Sequence, residues 1–376
     1  MTLKQKNIRY RNELLVKDKY YLGGLLVVKK TFKYVKDNLK FKLYVFGIPL
    51  WSSYVKPQNF FRLSKAYNMK GGGRYLDCSH YMTQDIARAL NEDREVVNKI
   101  KMLCEDLDCE SIEQVNQIIA RLKLSYYLKD KKWFNLINRE REELEKIKQE
   151  FYPNIIQFGS IWFYNGWFLP INAFEVSVFW HKHGLHKIEN WGKIREKNII
   201  DVGGFVGDSA ILLQEYTDKK VYSFEAVKNN YELMLKTIEL NSASKVVPVK
   251  KALGSKKEKL KISINDSGSS IQFNMGTGDI EEVEVITLDE FVRENDIEVG
   301  FIKVDIEGFE MEFLRGALQV IKEQKPAMLI SIYHQAGDFF GIKPFIEHLN
   351  LGYKFKIYKP IDHSVAGEIA LFCEVR

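Results

Sequence analysis

Residues 198–210, NIIDVGGFVGDSA, constrain the fold of this chain more than any other segment. An apolar run typical of a buried strand leads directly into glycines and then into a helical pattern. Gly203 and Gly207 are four residues apart, with Asp201 before them and Asp208 after them. Because glycine has no Cβ, such a junction lets the backbone approach a ligand closely. The segment predicts a ligand-binding turn, although a glycine turn of this kind is also common as a tight connection alone.

The spacing of the glycines excludes one large class of ligand. The dinucleotide fingerprint G-x-G-x-x-G, counted from Gly203, requires glycine where Phe205 and Asp208 stand. A nicotinamide dehydrogenase is therefore not favoured. The pattern present, D-x-G-x-x-x-G, is typical of the loop that binds S-adenosylmethionine (SAM) in methyltransferases.

Strand and helix patterns alternate after residue 198, which predicts a parallel sheet covered by helices on both faces. The predicted fold class is α/β: a Rossmann-like class I methyltransferase domain with a doubly wound, mostly parallel sheet and an antiparallel edge, preceded by a mainly helical accessory region. The expected strands are 198–202, 220–224, 245–249, 301–304 and 328–333, with insert strands 260–264 and 282–286 and an edge pair 354–358 and 369–374. The expected helices are 209–216, 229–241, 288–295 and 310–321.

The chain ahead of this alternation divides into two parts. Residues 1–75 form a basic, aromatic segment, in which 41–51 predicts a hairpin or strand. Residues 76–155 repeat apolar residues at every third or fourth position, which predicts a helical accessory domain. The methyltransferase domain is expected at 156–376, beginning with a tryptophan-rich entry segment at 156–192. Those tryptophans predict either a lid or acceptor floor beside the cofactor, or packing between the domains.

Charge is distributed unevenly along the chain. Residues 1–74 hold 17 Lys+Arg and 3 Asp+Glu, whereas the whole chain has a net charge of +6. The asymmetry predicts a contact with an anionic partner, such as a phosphate-bearing substrate, a membrane surface or nucleic acid, or else a solvated surface. Since the sequence shows no signal peptide and no apolar run that could span a bilayer, we expect a cytoplasmic protein. If the anionic partner is a membrane surface, we expect the protein to contact the inner face of the membrane peripherally. The four cysteines lack the spacing of a zinc site.

The parts of a SAM site follow one another along the predicted sheet. Glu225 ends the second strand, where an acid accepts both ribose hydroxyls. Ala252 follows the third strand and is expected beside the adenine ring. The loop residues expected to hold the methionine portion are Gly203, Gly204 and Gly207, with Asp201 and Asp208 placed to engage its amino group directly or through water.

Polar side chains also follow strands four and five. Asp305 and Glu307 are predicted to orient the acceptor, to help remove its proton or to hold a metal, with capping of the next helix as the structural alternative. His334, with Asp338 nearby in sequence, has the ingredients of a general base and its orienting carboxylate, or is a structural histidine. Two carboxylates this close are potential Mg²⁺ ligands, but a metal is not favoured.

In this order, the motifs resemble the FkbM-type SAM-dependent methyltransferases over about residues 167–376. The matching segments are IIDVGGFVGDSA, VYSFEA, VVPVKKALG, DSGSSIQF, VITLDEFV, FIKVDIEGFEMEFLRGA and ISIYH, of which KVDIEGFE is the most discriminating. The resemblance implies O-methyl transfer from SAM to a sugar, glycan or related small metabolite in surface-polysaccharide or secondary-metabolite biosynthesis, with S-adenosylhomocysteine (SAH) as product. It implies cofactor contacts for Asp201, Gly203, Gly207 and Glu225, with Ser269 or Ser270 as a further contact, and an acceptor-side location for Asp305, Glu307 and His334.

Two alternatives from other functional classes stay open. A nucleic-acid methyltransferase agrees with the basic N-terminal segment, but strand four ends in DIEG rather than in the Asn/Asp-Pro-Pro-aromatic motif of exocyclic-amine methylation. Nucleic acid is therefore not the favoured partner. The other alternative is a non-catalytic scaffold that keeps a degenerate SAM fold. The stretch GDFFGIKP after ISIYH also departs from the tryptophan-containing stretch of some relatives, which leaves acceptor contacts near 339–343 open.

Overall fold

The computed structural model describes residues 4–9, 15–22, 25–35, 38–45, 48–55, 81–128, 136–264 and 279–375. The chain divides into two compact units, Met1–Gly73 and Arg74–Arg376. The first unit contains a five-stranded antiparallel sheet whose strands pair in chain order. Its strands are β1 Lys4–Arg9, β2 Leu15–Leu22, β3 Leu25–Val35, β4 Asn38–Val45 and β5 Ile48–Val55.

This sheet extends well beyond the one hairpin expected near its end. The predicted hairpin at 41–51 corresponds to the β4–β5 pair. In the other strands, lysine alternates with apolar residues along the sequence. This alternation favours strands in a sheet with one apolar and one charged face.

The second unit begins with helices, as predicted for the region before the methyltransferase domain. They are α1 Tyr81–Glu92, α2 Val96–Cys104, α3 Cys109–Leu128 and α4 Asn138–Lys146, the last continued by a π-helical turn at Ile147–Phe151. Buried residues of these helices, including Leu103, Ile118 and Phe151, belong to the same hydrophobic core as the strands that follow. The helical region and the α/β region therefore share one core.

Thirteen strands are described in the second unit, in three sheets. They are β6 Ile156–Phe158, β7 Ile161–Tyr164, β8 Trp167–Leu169, β9 Asn198–Val202, β10 Val221–Phe224, β11 Val246–Val249, β12 Ala252–Leu253, β13 Glu258–Ile264, β14 Asp279–Ile286, β15 Val299–Val304, β16 Ala327–Ser331, β17 Tyr353–Tyr358 and β18 Ala370–Val375. The later helices are α5 Trp191–Arg195, α6 Asp208–Leu213, α7 Lys228–Leu240, α8 Leu288–Glu294, α9 Glu310–Gly316, α10 Leu318–Gln324 and α11 Ala336–Glu347.

The main sheet has seven strands in the order β11-β10-β9-β15-β16-β18-β17. The first five are parallel, whereas β18 runs antiparallel to both β16 and β17. This confirms the predicted doubly wound fold with an antiparallel edge. The expected helix at 310–321 is instead two helices, α9 and α10, and α11 was not predicted.

The strand order reverses between β9 and β15. Both strands are nearly all buried and mostly apolar, and the charged residues within them, Asp201 and Lys303, lie 3.2 Å apart as an ion pair. The loop after β9 leads to one face of the sheet, and the loop after β15 leads to the other face. A crevice therefore opens between these two loops at the carboxyl ends of the strands. Gly203 and Asp305 are the first residues beyond these two strands. Among the described helices, none combines the length and apolar character needed to cross a membrane.

Candidate active site

The glycine turn after β9 packs too tightly for side chains. Gly203 has φ +84°, and a Cβ there would lie 1.9 Å from the backbone carbonyl oxygen of Asp305. A Cβ on Gly204 would lie 2.2 Å from Oγ of Ser223. Gly207, also at φ +84°, precedes α6 and packs against Met234. The turn is therefore wedged between the β10 end, the β15 loop and α7.

A cavity of about 260 Å³ opens where this turn meets the neighbouring loops. It lies at the carboxyl ends of the parallel strands, the usual ligand position in this architecture. Six of the residues predicted from sequence line it: Gly203, Asp208, Glu225, Ala252, Asp305 and Glu307. Gly204, Gly207, Asp201 and His334 are absent from the described lining, and Ser269 lies outside the described residues.

Glu225 is fixed to the glycine turn. Its Oε2 accepts a hydrogen bond from the backbone N–H of Phe205 at 2.9 Å, and its Oε1 accepts one from Val227 at 2.7 Å. Burial raises the pKa of Glu225 to about 7, against the lowering effect of these two N–H groups. The side chain of Asn230 also hydrogen-bonds to this carboxylate. Since a carboxylate has about four acceptor positions, Glu225 still has capacity to accept a ligand hydroxyl.

Asp201 is not among the residues that line the cavity, and its predicted contact with the cofactor, directly or through water, stays a prediction. It is fully buried, accepts a hydrogen bond from Oγ of Ser223 at 2.7 Å and lies 3.2 Å from Nζ of Lys303. Lys303 in turn donates to the carbonyl oxygen of Gly203 at 2.8 Å. Burial opposes the charge of Lys303, but the carboxylates of Asp201, Asp305 and Asp208 outweigh it and raise the pKa of the lysine. Asp201 thus acts through Lys303 to hold the turn.

Asp201 and Asp208 were both predicted to engage the cofactor, and of these two residues Asp208 lines the cavity. It begins α6 and is buried, and its burial raises its pKa to about 6. Near neutral pH it is therefore ionised and available to a cationic group of a ligand.

His334 occupies a buried position among carboxylates. Its Nδ1 is 2.8 Å from Oε1 of Glu310, and its Nε2 is 3.3 Å from Oδ1 of Asp305 and 3.8 Å from Oε2 of Glu307. Burial alone would lower the pKa of His334, but the three carboxylates raise it to about 10. The predicted general-base role does not suit this geometry, because an imidazolium has no free nitrogen to accept a proton.

The two predicted carboxylates differ in their surroundings. Burial raises the pKa of Asp305, but Lys303 and His334 outweigh it and the net shift is downward. Burial raises the pKa of Glu307 to about 7, despite the nearby imidazolium. Glu307 also has a left-handed backbone, φ +57°, a strained conformation typical of functional sites for a non-glycine residue. Near neutral pH, Asp305 is thus a fixed anion and Glu307 exchanges a proton readily.

Several polar residues of the lining were not predicted from the sequence, among them Glu175, His183, Tyr333 and Glu368. The hydroxyl of Tyr333 lies 3.4 Å from Oδ1 of Asp305 and 3.4 Å from Oε1 of Glu368. His183 contacts Oγ of Ser209 through Nε2 at 2.9 Å, and burial lowers its pKa to about 3, so it is neutral. Both Glu175 and His183 come from the tryptophan-rich segment, whose aromatic density was the available signal.

The tryptophans of that segment are not part of the described lining. Trp180 donates from Nε1 to Glu143 of α4 at 2.7 Å. Trp191 packs against Tyr216 and Phe301, and Trp162 and Trp167 pack against the main core. Their contacts match the packing alternative rather than an acceptor floor.

One group of described residues has donor atoms close enough to surround a cation: Asp305, Glu310 and His334, within 4.8 Å of one another. In this structure the same atoms form the ion pairs of the His334 imidazolium. The expectation that no metal is used stays a prediction.

A bare glycine turn followed by a carboxylate at the end of the next strand is the arrangement predicted from the sequence for a SAM-dependent methyltransferase. Within that class, residues 201–355 match the methyltransferase FkbM domain. The chain therefore carries an FkbM-type methyltransferase domain in its C-terminal part.

Solved structures with related folds include methyltransferase FkbM from Methylobacillus flagellatus KT, 18% identical, with a TM-score of 0.48 over 74% of this chain and 59% of that protein. The present chain thus spans about three-fifths of that protein's length. Fibrillarin from Aeropyrum pernix, crystallised with natively bound SAM, is 11% identical with a TM-score of 0.31, over 49% of this chain and 68% of that one. No curated protein matches the sequence.

Proposed function

We propose that the protein transfers the methyl group of SAM to a hydroxyl oxygen of a sugar, a glycan or a related small metabolite. The observation that carries the proposal is the pair Asp305 and Glu307, which lines the cavity directly beside Gly203. A hydroxyl loses its proton when its oxygen is methylated, and a carboxylate within reach is a suitable proton acceptor. Surface-polysaccharide or secondary-metabolite biosynthesis is the setting that the sequence resemblance favours.

The residues around the turn fit SAM. Gly203 lines the cavity without a side chain, and Glu225 has both oxygens oriented by backbone N–H groups. We assign Glu225 to the ribose hydroxyls, Asp208 to the amino group of the methionine portion and Ala252 to the adenine side. When bound, SAM supplies a methyl group already activated by the sulfonium, and SAH is the product.

In this proposal Glu307 takes the proton of the acceptor hydroxyl. A carboxyl group with a pKa of about 7 is substantially ionised at neutral pH and is a stronger base than an ordinary glutamate. Asp305 accepts a hydrogen bond from the acceptor and orients it. His334 and Glu310 are positioning residues, because the imidazolium fixes Asp305 and Glu307 without lining the cavity.

The acceptor end of the cavity is rich in carboxylates. Glu175 and Glu368 line it together with Asp305 and Glu307. Burial, and then the neighbouring carboxylates, raise the pKa of Glu175 to about 8 and that of Glu368 well above its usual value. Near neutral pH, Glu175 and Glu368 are therefore mostly protonated, and Asp305 is the fixed anion at this end. Carboxyl and carboxylate oxygens accept hydrogen bonds from sugar hydroxyls, which supports a polyhydroxylated acceptor.

The test is SAH release from the whole protein, measured with neutral oligosaccharides, lipid-linked glycans, nucleotide sugars and RNA as acceptors. We expect turnover with a glycan or sugar and an O-methylated product by mass spectrometry. A methylated nucleobase as the product would contradict the proposal and favour the nucleic-acid methyltransferase alternative.

SAM binding is measured separately by calorimetry, with Glu225→Gln as the variant and exposed Glu294→Gln as its matched control. We expect the Glu225 variant to bind SAM about 10- to 100-fold more weakly, because charge-assisted hydrogen bonds contribute about 1.5–3 kcal/mol. Wild-type protein that binds no SAM would contradict the proposal and favour the scaffold alternative.

A further inference from the structure

The sheet of the first unit sorts its basic residues by face. Successive residues of a strand alternate between the two faces, and directly paired residues on adjacent strands share a face. The register pairs Lys6 with Lys19, Lys19 with Lys29, and Lys33 with Lys40. Extended by the two-residue period, this register assigns eight lysine positions to one face: Lys4, Lys6, Lys17, Lys19, Lys29, Lys33, Lys40 and Lys42.

The opposite face has a different composition. Within the five strands it holds the remaining basic positions, Arg9 and Lys30, and the only acidic one, Asp18. Otherwise it is largely apolar, with positions that include Val16, Val28, Phe32, Phe41, Leu43 and Trp51. An antiparallel sheet with one apolar and one charged face commonly uses the apolar face for packing. The lysine-bearing face, which we call the lysine face, is then the one that can meet a partner.

We propose that the lysine face docks on an anionic lipid bilayer. Its lysine positions form a two-dimensional array, two on each of four adjacent strands, and strands in a sheet lie about 4.8 Å apart. A flat array matches a flat anionic surface, whereas a nucleic-acid strand presents its phosphates along one line.

Two further features of the same face agree with a bilayer. Tyr44 pairs with Lys29 and Tyr54 pairs with Lys40, so both tyrosine positions belong to the lysine face. Tyrosine is enriched at membrane–water interfaces, and clusters of four to eight Lys/Arg bind anionic headgroups. Docking would bring the protein to the membrane surface without any membrane-spanning element.

The experiment is co-sedimentation of the full chain with anionic vesicles of phosphatidylglycerol mixed into phosphatidylcholine and with pure phosphatidylcholine vesicles. We compare Lys19→Gln/Lys29→Gln with Arg9→Gln/Lys30→Gln, which removes the same charge from the opposite face. Since one lysine near an anionic surface contributes about 1 kcal/mol, the first variant should bind the anionic vesicles about 30-fold more weakly. The control variant should bind like wild type, and salt should release all of them.

A second double variant on the same face, Lys17→Gln/Lys42→Gln, should weaken binding to the anionic vesicles equally. It keeps the test valid if the first variant fails to fold. The proposal is overturned if Arg9→Gln/Lys30→Gln weakens vesicle binding as much as the lysine-face variants do. It is also overturned if the protein binds pure phosphatidylcholine vesicles as well as the anionic vesicles. It is also overturned if single-stranded RNA competes the protein off the vesicles at equal phosphate concentration, since the face would then prefer nucleic acid. Because these readouts involve no methyl transfer, they are independent of the proposed activity.

Discussion

The Nδ1 atom of His334 lies 2.8 Å from Oε1 of Glu310, and both side chains are buried. Glu310 also accepts a hydrogen bond from the backbone N–H of Ile306 at 2.9 Å, within the loop that carries Asp305 and Glu307. The position of the Asp305 and Glu307 loop therefore depends on a glutamate that does not line the cavity.

Replacement of Glu310 by glutamine keeps the shape of this contact and removes its charge. We expect kcat to fall by about 100-fold, because small misplacements of reacting groups have costs of this size, while the Kd of SAM stays near that of wild type. The pKa of His334 should also fall, so the high-pH limit of activity should move to lower pH. Exposed Glu323→Gln on α10 is the control, and an unchanged pH profile for Glu310→Gln would contradict the positioning role.

The raised pKa of His334 also makes stability depend on pH. The folded protein holds this proton up to a pKa of about 10, whereas an unfolded histidine loses it near 6.5. The folded state thus binds more protons in this window, and the stabilisation, fully present below pH 6.5, is lost as pH rises toward 10. Thermal unfolding from pH 6.5 to 10 should show a steeper loss of Tm for wild type than for His334→Gln. Parallel curves would show that His334 does not hold an extra proton.

The strands and the glycine turn were predictable because their signals are local. β9, β15 and β16 are buried on both faces, so their sequences are mostly apolar, with Asp201 and Lys303 as the charged exceptions in β9 and β15. The order of the motifs along a doubly wound sheet then placed Glu225 and Asp305 at one edge. The helix α11 was missed because it is apolar on most sides and interrupted by Pro344, so it shows no clear amphipathic period.

Pairings between distant residues were not predictable in the same way. Asp201 has the sequence position of a ligand-binding acid, but its partner is Lys303, about a hundred residues later and buried beside it. His334 was predicted as a base because it follows a strand and has the carboxylate of Asp338 nearby in sequence. Only the three-dimensional placement of Glu310, Asp305 and Glu307 around its ring shows that it keeps its proton.

Gly203 should not tolerate even a methyl group. In Gly203→Ala the new Cβ would collide with the Asp305 carbonyl oxygen, and the left-handed backbone adds strain of about 1–3 kcal/mol. We expect a lower Tm and loss of SAM binding in calorimetry. Gly192→Ala is the matched control, because nothing lies within 4 Å of a Cβ there and it should leave SAM binding unchanged. Normal SAM affinity in Gly203→Ala would mean that the turn is not the cofactor site.

Removal of metal ions should leave activity unchanged. The protonated His334 lies between Asp305 and Glu310, and its positive charge balances these carboxylates in place of a bound metal ion. We expect equal SAH release before and after dialysis against EDTA, and no stimulation by added Mg²⁺. Loss of activity in EDTA, restored by Mg²⁺, would instead assign these three side chains to a metal.

The strongest test of the chemistry is the pH dependence of Glu307. If Glu307 removes the acceptor proton, only its ionised form is active, so kcat should rise with pH through about 7 and then level off. Glu307→Gln should lower kcat by about 10²- to 10⁴-fold and abolish this rise, with little change in the Kd of SAM. Glu294→Gln, an exposed change of the same chemistry on α8, should keep both the rate and the profile. If the Glu307 variant retained the rise near pH 7, the proton would be accepted by another group, and Asp305→Asn would be the next variant to compare.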